Sequence, residues 1–203
     1  MADISLPVHE SFDASDSDIT IQSSDNVLFK LHIKYLVATS GIFLGSEIET
    51  RGEVVHLEEQ ANVLEIVFQF IYPRVHPVLE GMEFELIKAI AEAVEKYQIF
   101  SAMFVCQTRL RETIPLHAID VLLHGLMHDY DSLINESALR LVRSDVIQVA
   151  ERLPNHYIVP WLKYHRTAKN HYSTECWKRS ITKSDMTAAE IKEIPYAIYA
   201  VIR

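Results

Sequence analysis

The sequence predicts an α+β fold: a small three-stranded sheet capped by a helical cluster, followed by an all-α extension. Three observations predict it. Two alternating apolar runs flank turn residues between positions 18 and 31. A third short apolar run stands alone at 54–57. Almost everything after residue 61 repeats apolar side chains at helical spacing, and five glycines in 203 residues suit a mainly helical chain. A hairpin and a lone strand do not stand by themselves, so the helices must cover them.

Residues 1–15 are polar and acidic and read as a flexible N-terminal arm. The run Asp18-Ile19-Thr20-Ile21-Gln22 alternates as a half-buried strand does. SSDN (23–26) is turn chemistry, and Val27, Phe29 and Leu31 alternate again, so the two runs form a hairpin. Leu36, Val37, Ile42 and Phe43 indicate one or two short helices broken near Ser40-Gly41. The segment from about 44 to 53 is a polar loop, and Val54-Val55-His56-Leu57 is the third strand.

Val63, Ile66, Val67, Phe70 and Ile71 lie at i, i+3, i+4, i+7 and i+8, one continuous helix face. Leu64 and Phe68 add a second stripe, so this helix is buried on most sides, and Pro73 ends it. A helix over about 83–97 turns Leu86, Ile87, Ile90, Ala91 and Val94 inward. Ser101 is placed to cap the next, with Ala102, Val105, Cys106 and Leu110 inward. Pro115 suits a first helical position, ahead of a face of Ile119, Leu122, Leu123 and Leu126 that ends near Gly125. Asp131 and Asp145 are candidate caps of the following helices. The shorter second one stops at Pro154, and a long helix covers about 157–180. Asp185 is a candidate cap for a last helix reaching Glu193. The apolar tail YAIYAVIR (196–203) either packs back on the extension or leads into a longer chain, with packing the expectation.

Composition narrows the function. A net charge of −9 argues against nucleic acid or an anionic membrane as the main partner. No run of about 18 uncharged apolar residues exists, so nothing is expected to span a bilayer. Two distant cysteines, Cys106 and Cys176, make no disulfide framework, and the N-terminus lacks the pattern of a signal peptide. An intracellular location, cytoplasm or nucleus, is expected.

The pattern Asp18-Ile-Thr-Ile, Ser24-Asp25, Phe29, His32, Leu36-Val37-Ala38, Ser40 and Phe43 closely resembles the start of a BTB/POZ domain. That family reads roughly S-D-V-x-L, then D-G-x-x-F-x-V-H-x-x-x-L-A-x-x-S-x-x-F. VVHLEE (54–59), VLEIVFQFIYP (63–73) with Tyr72, and IAEAVEKYQIFSAMFVCQTRL (90–110) with Tyr97 follow in family order. The resemblance covers about residues 16–112, and the helical extension is then 113–203. Two stretches, PLHAIDVLLHGLMHDYDSLINESALRLV and LPNHYIVPWLKYHRTA, are similar to the helical extension that follows BTB domains in a large fungal group, as is the IYP-x-x-HP loop (71–77).

The resemblance implies a non-catalytic protein-protein interaction module needing no cofactor and no metal. It implies structural roles for Asp18, Phe29, His32, Ser40, Phe43, Tyr72 and Tyr97. Many BTB domains form homodimers through the first helix and an exchanged N-terminal segment, and others recruit cullin-3 ubiquitin ligase scaffolds. Protein partners, homodimerisation and cullin-3 binding are therefore the expected partner classes. Family topology places the interface at Phe12 of the arm, at Ile33, Tyr35 and Leu36 of the first helix, and at Leu44, Ile48 and Glu49 of the loop. Cullin-3 adaptors carry a hydrophobic-x-Glu motif, and Ile48-Glu49-Thr50 sets the acid one position early. The fungal group continues with cysteine pairs suggestive of a small metal site. Here only Cys176 stands in that region, so no such site is carried over.

Several sharper readings compete. His124-Gly-Leu-Met-His128 has the His spacing of a zinc helix, but Gly125 stands where the glutamate base belongs. A metal-dependent enzyme using His117, His124 and His128 is the remote alternative. The face of His117, Asp120 and His124 is expected to be solvated, with the helix ending at Gly125. His165, His171 and Cys176 do not align on one helix face, so an aromatic helix packing on its neighbours is expected there. Asp13, Asp16 and Asp18 lack the glycine and terminal glutamate of a calcium loop. Cys106 is expected to be a core residue.

Overall fold

The computed structural model describes residues 6–42 and 54–182, with side chains up to residue 170. The chain divides into two compact units, Met1–Leu110 and Arg111–Arg203.

The hairpin forms as its alternation requires. β2 (Ile19–Gln22) and β3 (Leu28–Leu31) are antiparallel, with Ile19 opposite Leu31 and Ile21 opposite Phe29. Those four side chains share one buried face. The turn between them places Asn26 at φ 66°, a conformation Asn tolerates. It also serves two later elements. Ser24 N donates to Glu59 O at 2.9 Å, and Asp25 Oδ1 accepts from Ala61 N at 2.8 Å, satisfying an orphan amide at the start of α2 (Ala61–Gln69).

β4 (Val54–His56) lies parallel to β2, with Ile21 opposite Val55. The arm is corrected. Val8–Asp13 is β1, parallel to β3 with an irregular register, so among the described residues the sheet has four strands, in the order β1-β3-β2-β4, rather than three. One side chain explains the docking: Phe12 is 3% exposed, its ring among Phe29, Phe68 and Tyr72 at 5.7, 5.9 and 6.0 Å.

α1 (Ile33–Thr39) starts where Asp18 Oδ1 accepts from Ile33 N at 2.6 Å. α2 closes over the sheet with Val63, Leu64, Val67 and Phe68 buried, and the Phe29 and Phe68 rings meet edge-on at 5.2 Å. α3 (Phe84–Tyr97) buries Ile87, Ile90, Ala91 and Val94, as its spacing predicts, and Leu86 is half-buried. It stops at Gln98, whose φ of 50° is left-handed. α4 (Phe100–Met127) opens with Ser101 already inside it. Ser101 is therefore not a cap, and its hydroxyl donates to Phe70 O at 3.1 Å. Pro115 does not begin a new helix. It lies within α4, which is two helices joined at a kink where His117 leaves helical geometry (φ −125°, ψ 33°).

In the second unit, α4 continues through Gly125 to Met127, and α5 (Asp131–Leu141) turns back beside it. A Cβ on Gly125 would stand 3.1 Å from Ile134 Cγ1 and 3.2 Å from Ile134 N, so the missing side chain admits α5. Tyr130, not Asp131, holds the cap position of α5. Asp145 does cap α6 (Val146–Arg152), accepting from Ile147 N at 2.8 Å. α7 (Asn155–Thr182) buries Trp161, Tyr164, His165 and Ala168. The expected last helix at Asp185 and the apolar tail lie outside the described residues.

Candidate interaction surface

Four of the signature residues, His32, Ser40, Tyr72 and Tyr97, tie distant elements together. His32 stands between β3 and α1. Its Nδ1 is 3.0 Å from the Tyr72 hydroxyl, and its Nε2 is 3.2 Å from Asp16 Oδ1. The hydrogen bond to His32 holds the Asp16 carboxyl below the usual carboxylate range. Burial raises the Tyr72 phenol, partly offset by its bond to His32. Tyr35 packs on Tyr72 at 4.9 Å.

Ser40 is buried. Its hydroxyl donates to Tyr97 O and accepts from Ile42 N at 3.1 Å. His32 and Ser40 are thus committed to different partners and do not form a base and nucleophile. The Tyr97 hydroxyl donates to the Glu59 carboxylate, while Lys96 Nζ reaches Glu58 Oε2 and Glu59 Oε1, both at 2.9 Å. Burial alone would raise Glu59, but the hydrogen bonds from Tyr97 and Lys96 outweigh it and hold the carboxyl low. The same contacts raise Lys96, and burial with Glu59 raises the Tyr97 phenol. Phe29 is fully buried, its ring among those of His9, Phe12 and Phe68.

The interface expected from family topology is only partly on the surface. Phe12 and Leu36 are corrected to core residues: both are buried, Phe12 by the aromatic cluster and Leu36 on the inner face of α1. Ile33 and Tyr35 are half-buried. Leu44, Ile48 and Glu49, and Phe43 of the signature, lie outside the described residues.

The large exposed apolar side chains include two that motif reading passes over. Phe100 and Phe104, one turn apart on α4, are 61% and 74% exposed. Phe100 lies against Gly41, whose neighbour Ile42 is 51% exposed. The signal was present in the spacing: positions 100 and 104 fall off the inward stripe of Ala102, Cys106 and Leu110.

The remaining candidates resolve differently. His124 is buried, not solvated, and its ring is 4.6 Å from that of His128, because α4 passes Gly125 rather than ending there. Asp120 pairs with Arg152 at 2.7 Å, and His117 sits at the kink. The three aspartates of the supposed calcium loop diverge: Asp13 to Lys30, Asp16 to His32, Asp18 to the Ile33 amide. Trp161 packs on Tyr164 and His165 at 5.7 and 5.8 Å. The side chains of His171 and Cys176 lie outside the described residues. The Cys106 thiol is pushed up to about 12 by burial, with Glu95 adding to it, which leaves little thiolate for nucleophilic chemistry. Among the described residues, no helix is long and apolar enough to cross a membrane.

This architecture, a small mixed sheet under helices with a His-Tyr-Ser-Tyr set of interelement contacts, agrees with the comparison to protein families. The family model of the BTB/POZ domain matches residues 8–114, including β1, which the expected boundary of about 16 left out. No curated protein matches the chain. The match spans more than half of the 203 residues, and the chain belongs to the BTB/POZ domain family.

Proposed function

We propose that this chain is a non-catalytic module that homo- or hetero-oligomerises through its BTB/POZ domain, acting inside the cell in the cytoplasm or nucleus. Protein interaction is what the domain brings. The observation that carries the finer reading is the exposed apolar group of Phe100, Phe104 and Ile42. Burying an exposed phenylalanine in an interface gains about 2 kcal/mol, and well-packed aromatic anchors dominate interface energetics. Exchange of the N-terminal segment is less favoured, because β1 is already anchored in its own sheet by Phe12.

The test is light scattering across a protein concentration series, for the native chain and a Phe100→Ser/Phe104→Ser variant. Both side chains are exposed, so the variant keeps its fold and its native circular dichroism spectrum. A native oligomer that dissociates in the variant supports the reading; a native monomer at every concentration refutes self-association. Affinity purification from its own cells decides the alternative, a cullin-3 substrate adaptor. Recovered cullin-3 promotes that role, and its absence alongside other partners retires it.

A further inference from the structure

The second unit carries a groove of about 420 Å³ between the start of the unit on α4 and the C-terminal half of α5. Its chemistry differs from the rest of the chain. Arg111, Arg140 and Arg143 line it against a single carboxylate, Glu136, in a protein whose net charge is −9. Ile114 is buried in its wall and Leu139 is half-buried, so the three exposed guanidinium groups surround apolar surface.

The arginines are not equally engaged. Arg111 Nε meets Glu136 Oε1 at 3.0 Å, and its Nη2 donates to Ser132 Oγ at 2.8 Å, which fixes the guanidinium at the rim. Arg140 reaches Pro115 O only at 3.5 Å. Arg143 bonds to no described residue. Two guanidinium groups are thus left to take carboxylates, for which their planar fork is suited bidentately.

We propose that this groove docks an acidic peptide segment of a partner protein, its carboxylates on Arg140 and Arg143 and an apolar side chain on Ile114 and Leu139. The apolar wall favours a peptide over a phosphate backbone, and Glu136 opposes a continuous polyanion. This surface is independent of the oligomerisation reading, since it uses none of the residues around Phe100.

The test begins with selection of short random displayed peptides on the full chain. Enriched sequences are expected to set Asp or Glu beside Leu, Ile or Phe. A fluorescein-labelled winner is then titrated by fluorescence anisotropy. Arg140→Glu and Arg143→Glu each weaken binding about tenfold, the loss of one charge-assisted contact, and high salt weakens it too. Arg143→Gln, which breaks no bond to a described residue, gives a smaller loss with an unchanged circular dichroism spectrum. The Phe100→Ser/Phe104→Ser variant binds the peptide as the native chain does; loss there assigns the peptide to the first unit and overturns this proposal alone. Selection without acidic-apolar enrichment overturns it, as does affinity that survives both arginine reversals. A single-stranded oligonucleotide that displaces the peptide at equal concentration would make the groove a nucleic-acid site instead.

Discussion

Replacing Phe12 with alanine tests whether the N-terminal strand belongs to its own sheet. Phe12 is almost fully buried, its ring within 6.0 Å of Phe29, Phe68 and Tyr72 and its face 5.2 Å from the Arg74 guanidinium. Removing a buried phenylalanine costs about 3–5 kcal/mol in a closed core. An edge strand sets a ceiling, because among the described residues β1 pairs only with β3 and can detach without unfolding the rest. The expected loss is therefore about 3 kcal/mol, at the lower end of that range, which for a chain of this length lowers the thermal midpoint by about 6–12 °C. Urea melts give the loss, and amide exchange locates it. The Leu28 amide donates to Pro7 O at 2.8 Å and should exchange much faster in the variant. A loss below about 1 kcal/mol would refute docking within the chain. So would stability that still rises with protein concentration in the Phe100→Ser/Phe104→Ser background, the signature of a strand supplied by a second copy.

Two further outcomes follow from the polar network and from the second unit. Glu59 is held below its ordinary value of 4.5, so its stabilising contribution is present above that pH and is lost as pH falls through the lower folded value. Lys96 and Tyr97 are raised from 10.5 and 10.0, so theirs is present below those values and is lost as pH rises through the raised ones. Glu59→Gln should flatten both limbs of the urea midpoint against pH; unchanged limbs would mean that the Glu59–Lys96–Tyr97 contacts carry no stability. Gly125→Ala should destabilise by about 1 kcal/mol, because crowding that costs about 1–3 kcal/mol outweighs the helix-propensity gain of about 1 kcal/mol. The contact includes the backbone nitrogen of Ile134, which cannot move aside as a side chain would. A raised thermal midpoint would show that α5 does not approach so closely.

What the sequence makes legible is what local periodicity encodes. The hairpin, α2 and α3 follow from alternation and from the 3.6-residue repeat, and their buried faces agree residue by residue at Ile21, Phe29, Val67 and Ile90. β1 fails that reading because VHESFD carries one large apolar anchor among polar neighbours. Its place is decided by aromatic rings that arrive from β3, α2 and the segment beyond it. His124 fails for a related reason. A helix covered on more than one side has no solvated face, and a histidine opposite a leucine stripe then enters the interior. Gly125 reads as a stop signal when a helix is considered alone, but here it is a contact point between two helices.

The motif residues and the surface residues divide the work in a way that explains why family is legible and partner is not. His32, Ser40, Tyr72 and Tyr97 are recognisable because each makes a long-range polar contact that joins separate elements of the first unit. Such a contact constrains residue type strongly, since loss of one member leaves a buried group unsatisfied. Those same contacts use up the polar atoms that a partner would otherwise meet. The two proposed binding surfaces lie elsewhere, on exposed side chains: Phe100 and Phe104 of α4, and Arg143 just beyond α5. Variants there should change binding while leaving the circular dichroism spectrum native, whereas Phe12→Ala and Glu59→Gln should lower the stability of the single chain first.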